Sequence, residues 1–175
     1  EHSGIEPDII CTSKALGGGL PLSAVIGKEY ILSEWSPTAY VSTQAGNVLA
    51  CAAGNYVIDK ISSKYFLNDV NKAGNYLLKG LKELKTRHPI IGFIDNCGLY
   101  TGVELVRDGK TKEPADIEAN FVRDLCVQKG LLFEKGGYYH NRLQLIPPLN
   151  IEIKVIDKCI EILDFVFEKT KIKFK

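Results

Sequence analysis

The sequence predicts an α/β chain in which a strand-bearing segment is followed by a compact α+β domain. Residues 8–12 and 22–26 are short, nearly all-apolar runs, the second closed by Gly27. Such runs are typical of strands covered by helices on both faces. From Tyr65 to Arg87, Phe66, Val70, Ala73, Leu77, Leu81 and Leu84 recur at helical spacing with lysines between them. Beyond that segment, strand-like runs and turn residues alternate with two further helical patterns. The change of character near residues 62–68 divides the chain into 1–64 and 65–175.

Each element has a local reason. Lys28 to Trp35 reads as a short helix broken by Ser36-Pro37-Thr38. Gly46 to Ile61 reads as a helix rich in small residues, Ala50 to Gly54, which let it lie close to a sheet or a neighbouring chain. His88-Pro89 ends the long amphipathic helix, because the residue before a proline is pushed out of the helical region. Gly98 to Val106 reads as a strand, and Asp108-Gly109-Lys110 as a turn. Pro114 to Lys129 is a predicted helix with proline near its first turn and Gly130 as its stop. Leu131-Leu132-Phe133 and Leu143 to Ile146 are predicted strands around a Gly136-Gly137-Tyr138-Tyr139-His140-Asn141 loop, and Pro147-Pro148 ends the second. Glu152 to Lys169 closes the chain as an amphipathic helix.

Composition bounds the function. The chain has 175 residues, 45% hydrophobic and 25% charged, with a formal net charge of +1. That balance makes no electrostatic case for nucleic acid or an anionic membrane, and no apolar run reaches transmembrane length. The five cysteines are scattered, with no Cys-x-x-Cys pair, so neither a metal site nor a disulfide framework is expected. Most stand in apolar sequence, where thiols behave as small hydrophobes, and a reducing, cytoplasmic compartment is expected. With no methionine at all, the chain reads as a fragment of a longer protein.

The chemistry centres on Lys14, in Thr12-Ser13-Lys14-Ala15-Leu16-Gly17-Gly18-Gly19-Leu20-Pro21. A lysine that condenses with a carbonyl must lose its proton, which desolvation at the end of a buried strand promotes. The glycines after it leave room for a bulky ligand against the backbone. A phosphate-loop motif does not fit, since it places its glycines before the lysine. Ser42-Thr43, ahead of the helix expected from Gly46, offers hydroxyls and free N–H groups suited to phosphate, or else a plain helix cap. Arg142 begins a strand beside the glycine-rich loop, either as a two-pronged clamp for a carboxylate or as a solvated side chain.

Taken in order, four motifs resemble the class III (ornithine/4-aminobutyrate-type) aminotransferases. They are Ser13-Lys14-Ala15-Leu16-Gly17-Gly18-Gly19-Leu20-Pro21, Ser42-Thr43-x-x-Gly46-Asn47, Gly98-Leu99-x-x-Gly102-x-Glu104-Leu105 and Arg142-Leu143-x-x-x-Pro147-Pro148-Leu149. The resemblance covers nearly the whole chain. It implies the C-terminal part of a fold type I enzyme dependent on pyridoxal 5′-phosphate: the end of the large mixed-sheet domain, then the small C-terminal domain. Lys14 then matches the lysine that forms the Schiff base with the cofactor and moves the substrate proton. Thr43, with Ser42, matches the hydroxyl that binds the cofactor phosphate of the neighbouring subunit, which implies a homodimer with its active site at the interface. Arg142 matches the arginine that holds the substrate carboxylate.

Gln44-Ala45 and Val48 depart from the aromatic-Gly and Pro of the usual Thr-Phe-Gly-Gly-Asn-Pro pattern, which bears on substrate preference. The family's aspartate for the pyridine nitrogen, its ring-stacking aromatic and its glycine-rich phosphate loop precede the stretch matched here. The 175 residues alone are therefore expected to be inactive and the parent protein active. The expected reaction moves an amino group from an amino acid or amine to a 2-oxo acid. A racemase, epimerase or aminomutase on the same scaffold is the nearest alternative, and a non-catalytic subunit that kept the fold is a more distant one.

Overall fold

The computed structural model of the protein describes residues 3–36 and 42–174. The chain divides into two units, Glu1–Phe66 and Leu67–Lys175.

In the first unit, β1 (Ile9–Thr12) pairs antiparallel with β2 (Ala24–Gly27), with Ile9 opposite Gly27 and Thr12 opposite Ala24. Lys28 closes the pair, its N–H donating to the Asp8 carbonyl and its ammonium lying 2.8 Å from the Asp8 carboxylate. The strands form where the apolar runs place them, but they are not covered. Ile9, Ile10, Val25 and Ile26 are 45–56% exposed. An apolar strand records what it can bury, and here about half of each of these side chains is left open.

The helix expected over Lys28–Trp35 is a single turn, α1 (Glu29–Leu32); the break at Ser36-Pro37-Thr38 lies partly outside the described residues. α2 (Val48–Ile61) starts two residues later than the expected Gly46. Its cap is Asn47, whose Oδ1 accepts from the Ala50 N–H at 3.0 Å. Ser42 and Thr43 are therefore not its cap. The small residues of α2 are used within the unit: a Cβ at Gly54 would lie 2.5 Å from Leu22 Cδ2 and 3.4 Å from the Leu16 carbonyl. The helix thus rests directly on the segment that follows Lys14.

α3 (Lys64–Arg87) follows, and from Val70 on its buried face is Val70, Ala73, Gly74, Leu77, Leu81 and Leu84. The second unit is an antiparallel sheet of order β3-β4-β6-β5, formed by β3 (Ile91–Cys97), β4 (Tyr100–Leu105), β5 (Glu134–Gly136) and β6 (Arg142–Leu145). α4 (Asp116–Gln128) packs on β4, β5, β6 and on α5 (Ile153–Lys173). Val103, Leu105, Val122, Leu143, Leu163 and Val166 are fully buried between these layers. The end of α3 is tied to α5 by polar bonds: Arg87 Nη1 donates to Asp164 Oδ2, and buried His88 places Nε2 on Asp164 Oδ1, both at 2.6 Å.

Four local readings are corrected here. β3 is a strand that the sequence does not announce. Leu131-Leu132-Phe133 is not a strand: these residues line an apolar cavity of about 610 Å³ with Leu145 and Ile156, and pairing begins at Glu134 opposite Gln144. α5 runs to Lys173 rather than Lys169. Nor are most thiols buried: Cys11 and Cys97 are exposed, Cys51 and Cys159 half-buried, and Cys126 is buried. Burial pushes the Cys126 thiol up to about 12 and that of Cys159 up to about 11, which leaves both poor nucleophiles at neutral pH.

Candidate active site

β1 ends at Thr12, and the chain then turns sharply. Ser13 is extended (φ −160°), and Lys14 adopts a left-handed backbone (φ 54°) at the head of a single 3₁₀ turn over Lys14–Gly17. Leu16 N–H donates to the Ser13 carbonyl at 3.1 Å, and Gly18 N–H to the Ala15 carbonyl at 3.0 Å. For a side-chain-bearing residue the left-handed region costs roughly 1–2 kcal/mol, because Cβ crowds the following carbonyl. A cost of that kind is typically retained where a fixed side-chain direction has a use.

Lys14 lines a cavity of about 540 Å³, together with Ser13, Ser23, Ser42, Gln44 and Gly46. The turn that supplies Ser42 is closed by Ala45 N–H donating to the Ser42 carbonyl (3.0 Å) and Asn47 N–H donating to the Gln44 carbonyl (3.2 Å). Thr43 stands exposed in this turn and is not among the residues that line the cavity. The structure therefore brings Lys14 and Ser42 to one space. Lys14 itself is exposed, so the expected desolvation at a buried strand end is not provided by the described residues. An amine, three serine hydroxyls and an amide around one cavity suit a ligand that carries a carbonyl for the amine and an anionic group for the hydroxyls.

Arg142 belongs to the second unit, at the start of β6, in register with Glu104 on one side and Gly136 on the other. Its guanidinium lies over Gly102 of β4, where any Cβ would collide with Nε, Cζ and Nη2. Beyond Gly102, Nη2 donates to Asp95 Oδ2 at 2.5 Å, and Asp95 sits opposite Gly102 in the β3–β4 ladder. The arginine is thus laid flat across a strand, an arrangement that only a glycine permits. Sequence reasoning singled out Arg142 but not Asp95, 47 residues away. Gly102 stood in the quoted motif without a role, and the seat it makes for Arg142 supplies one. Among the described residues no group of three or more His, Cys, Asp or Glu is placed to hold a metal ion, and no helix is long and apolar enough to cross a membrane.

The chain is 39% identical over 166 residues to a leucine/methionine racemase of Thermococcus litoralis, covering 94% of this chain and 37% of the relative. It is 36% identical over 172 residues to an acetylornithine aminotransferase of Caldanaerobacter subterraneus subsp. tengcongensis, covering 98% of this chain and 40% of that protein. The crystal structure of a Bacillus anthracis aminotransferase superposes with a TM-score of 0.85 at 33% identity, over 95% of this chain and 40% of that one. The chain therefore spans about two fifths of the length of these relatives, and over that span it has their fold. The family model for class-III aminotransferases matches residues 1–167, and the chain belongs to that family.

Proposed function

We propose that this chain is the C-terminal part of a pyridoxal-phosphate-dependent aminotransferase that moves an amino group from an amino acid or amine to a 2-oxo acid. The observation that carries the reading is Lys14, held in a left-handed backbone with its amine on a hydroxyl-lined cavity. The bound cofactor supplies the electron sink that makes the substrate's α-proton acidic. Lys14 Nζ would be the amine that holds the cofactor and, when free, would carry that proton as a general base and acid. Ser42 lines the cavity of its own Lys14. Thr43, in the same turn but outside that lining, is the hydroxyl we assign to the cofactor phosphate of a partner subunit in a homodimer. Arg142 orients the substrate by its carboxylate. The domain assignment, 1–64 to the large domain and 65–175 to the small one, belongs to this reading, as do a cytoplasmic location and inactivity of the 175 residues alone.

The test is borohydride reduction of the full-length enzyme with pyridoxal phosphate, followed by peptide mapping. A label on Lys14 is the expected result; its absence, or a label elsewhere, overturns the assignment.

A second reading is favoured by the relative named as a leucine/methionine racemase. On that reading the same lysine returns the proton to the opposite face, with no 2-oxo acid required. Turnover without an added 2-oxo acid, with solvent deuterium entering an inverted product, decides for the racemase. Dependence on a 2-oxo acid decides for the transaminase.

A further inference from the structure

The polarity of the Gln44 side chain is set by the helix that follows it. The Ala50 N–H, an orphan donor of the first turn of α2, is taken by Asn47 Oδ1 at 3.0 Å. With Oδ1 so engaged, the other end of the Asn47 amide is a donor, and Nδ2 donates to Gln44 Oε1 at 3.2 Å. A carboxamide that accepts through its oxygen presents its nitrogen elsewhere, so Gln44 Nε2 is left with two N–H groups, and none of the described residues takes them. Gln44 lines the cavity of Lys14 with Ser13, Ser23 and Ser42, and apart from Lys14 that lining carries no charged side chain. The usual Thr-Phe-Gly-Gly-Asn-Pro pattern has phenylalanine at this position, which offers no such donor, so family membership does not account for it.

We propose that Gln44 is a further ligand-binding residue of the Lys14 cavity, donating Nε2–H to an anionic oxygen of the molecule bound there, and that Asn47 is its positioning residue. The oxyanion is a phosphate or a carboxylate, which an amide donor serves alike. A hydrogen bond to a charged acceptor is stronger than one between neutral groups, and in this lining it adds to the serine hydroxyls without a second cation. The proposal rests on the reading of Lys14 as the amine that holds the cofactor.

The experiment is equilibrium dialysis of the full-length apoenzyme against pyridoxal phosphate and against pyridoxal, which lacks the phosphate, and of the holoenzyme against succinate, a dicarboxylate without an amine. If the oxyanion is the phosphate, Gln44→Ala weakens pyridoxal phosphate about three- to ten-fold and leaves pyridoxal unchanged. If it is the substrate carboxylate, both cofactor forms bind as in wild type and succinate binds about three- to ten-fold more weakly. Gln44→Glu keeps the acceptor for Asn47 but puts a charge where the donor stood, so it weakens the same ligand more than alanine does. Asn47→Ser keeps a capping oxygen and removes the Nδ2 donor. It is expected to weaken that ligand too, with unfolding nearly unchanged and no further loss when combined with Gln44→Ala. Affinities that do not move in Gln44→Ala, or pyridoxal weakened as much as pyridoxal phosphate, overturn the role of Gln44. Wild-type affinities in Asn47→Ser overturn the role of Asn47. Absence of the borohydride label from Lys14 overturns the underlying reading, whereas a label on Lys14 with unmoved Gln44→Ala affinities overturns this proposal alone.

Discussion

His88 Nε2 lies 2.6 Å from Asp164 Oδ1, and this contact joins the residue just after α3 to the middle of α5. The imidazole is buried against Phe167, with ring centroids 5.5 Å apart, while Asp164 also accepts from Arg87. Burial works against the charge of Asp164, but hydrogen bonds from His88 and Arg87 outweigh it and hold its carboxyl below the usual aspartate value. A group whose pKa is lower folded than unfolded contributes stability above its unfolded value, and that contribution is lost as pH falls through the folded one. Urea unfolding midpoints of the second unit are therefore expected to fall on acidification below about pH 4. Asp164→Asn should flatten part of that limb. Asp164→Ala should cost about 2 kcal/mol at neutral pH, since it strips a buried donor of a charged acceptor. A wild-type and an Asp164→Asn curve of the same shape would remove this pair from the account.

Gly102→Ala tests the seat of Arg142. A Cβ there collides with the guanidinium, so the arginine must leave its position or the strand must shift. Overpacking of this kind costs about 1–3 kcal/mol. On the reading of Arg142 as a carboxylate clamp, affinity of the full-length enzyme for maleate, an unreactive dicarboxylate, should change in the same variant. A variant with wild-type stability and wild-type affinity would show that the arginine does not need the glycine.

The backbone at Lys14 predicts an inversion of the usual order of small residues. Glycine ordinarily destabilises relative to alanine through its freedom in the unfolded chain, by about 0.4–1 kcal/mol. In a left-handed conformation alanine bears the same Cβ strain as lysine, roughly 1–2 kcal/mol, and glycine does not. Lys14→Gly should therefore be more stable than Lys14→Ala by about 0.5–1 kcal/mol. Thermal unfolding of the two variants decides it, and neither should accept the borohydride label.

Asn47→Ala addresses the start of α2. It removes the side-chain acceptor of the Ala50 N–H and is expected to cost about 1 kcal/mol. Ser42→Ala and Thr43→Ala should leave unfolding nearly unchanged, because neither residue caps that helix. A larger loss in Thr43→Ala than in Asn47→Ala would contradict the cap seen here.

What the sequence shows and what it conceals follow from where the information sits. The long helices α3 and α5 are legible because their apolar faces repeat within a few residues. β4 and β6 are legible because they are central and apolar on alternate positions. β3 is hidden because Gly92, Asp95 and Asn96 are poor strand formers, and its pairing is supplied by β4 along one side only. The exposure of β1 and β2 was unreadable, since apolar residues announce that a face needs cover and not which segment covers it. Lys14 was legible as an amine among glycines, whereas its left-handed backbone carries no signature in a residue that rarely adopts it. Asp95 was missed because its meaning depends on Arg142, far along the chain, and on the glycine between them.

The sheet order places β3 at an edge and β6 inside. Arg142 therefore stands where neighbouring strands constrain change, and the carboxylate that meets it stands on a strand with a single neighbour. Mutation can reach position 95 without disturbing the packed layers, and each replacement there resets the charge beside a fixed arginine. In descent from a common ancestor, this margin of the sheet is a place where charge can drift while the packed layers stay inherited.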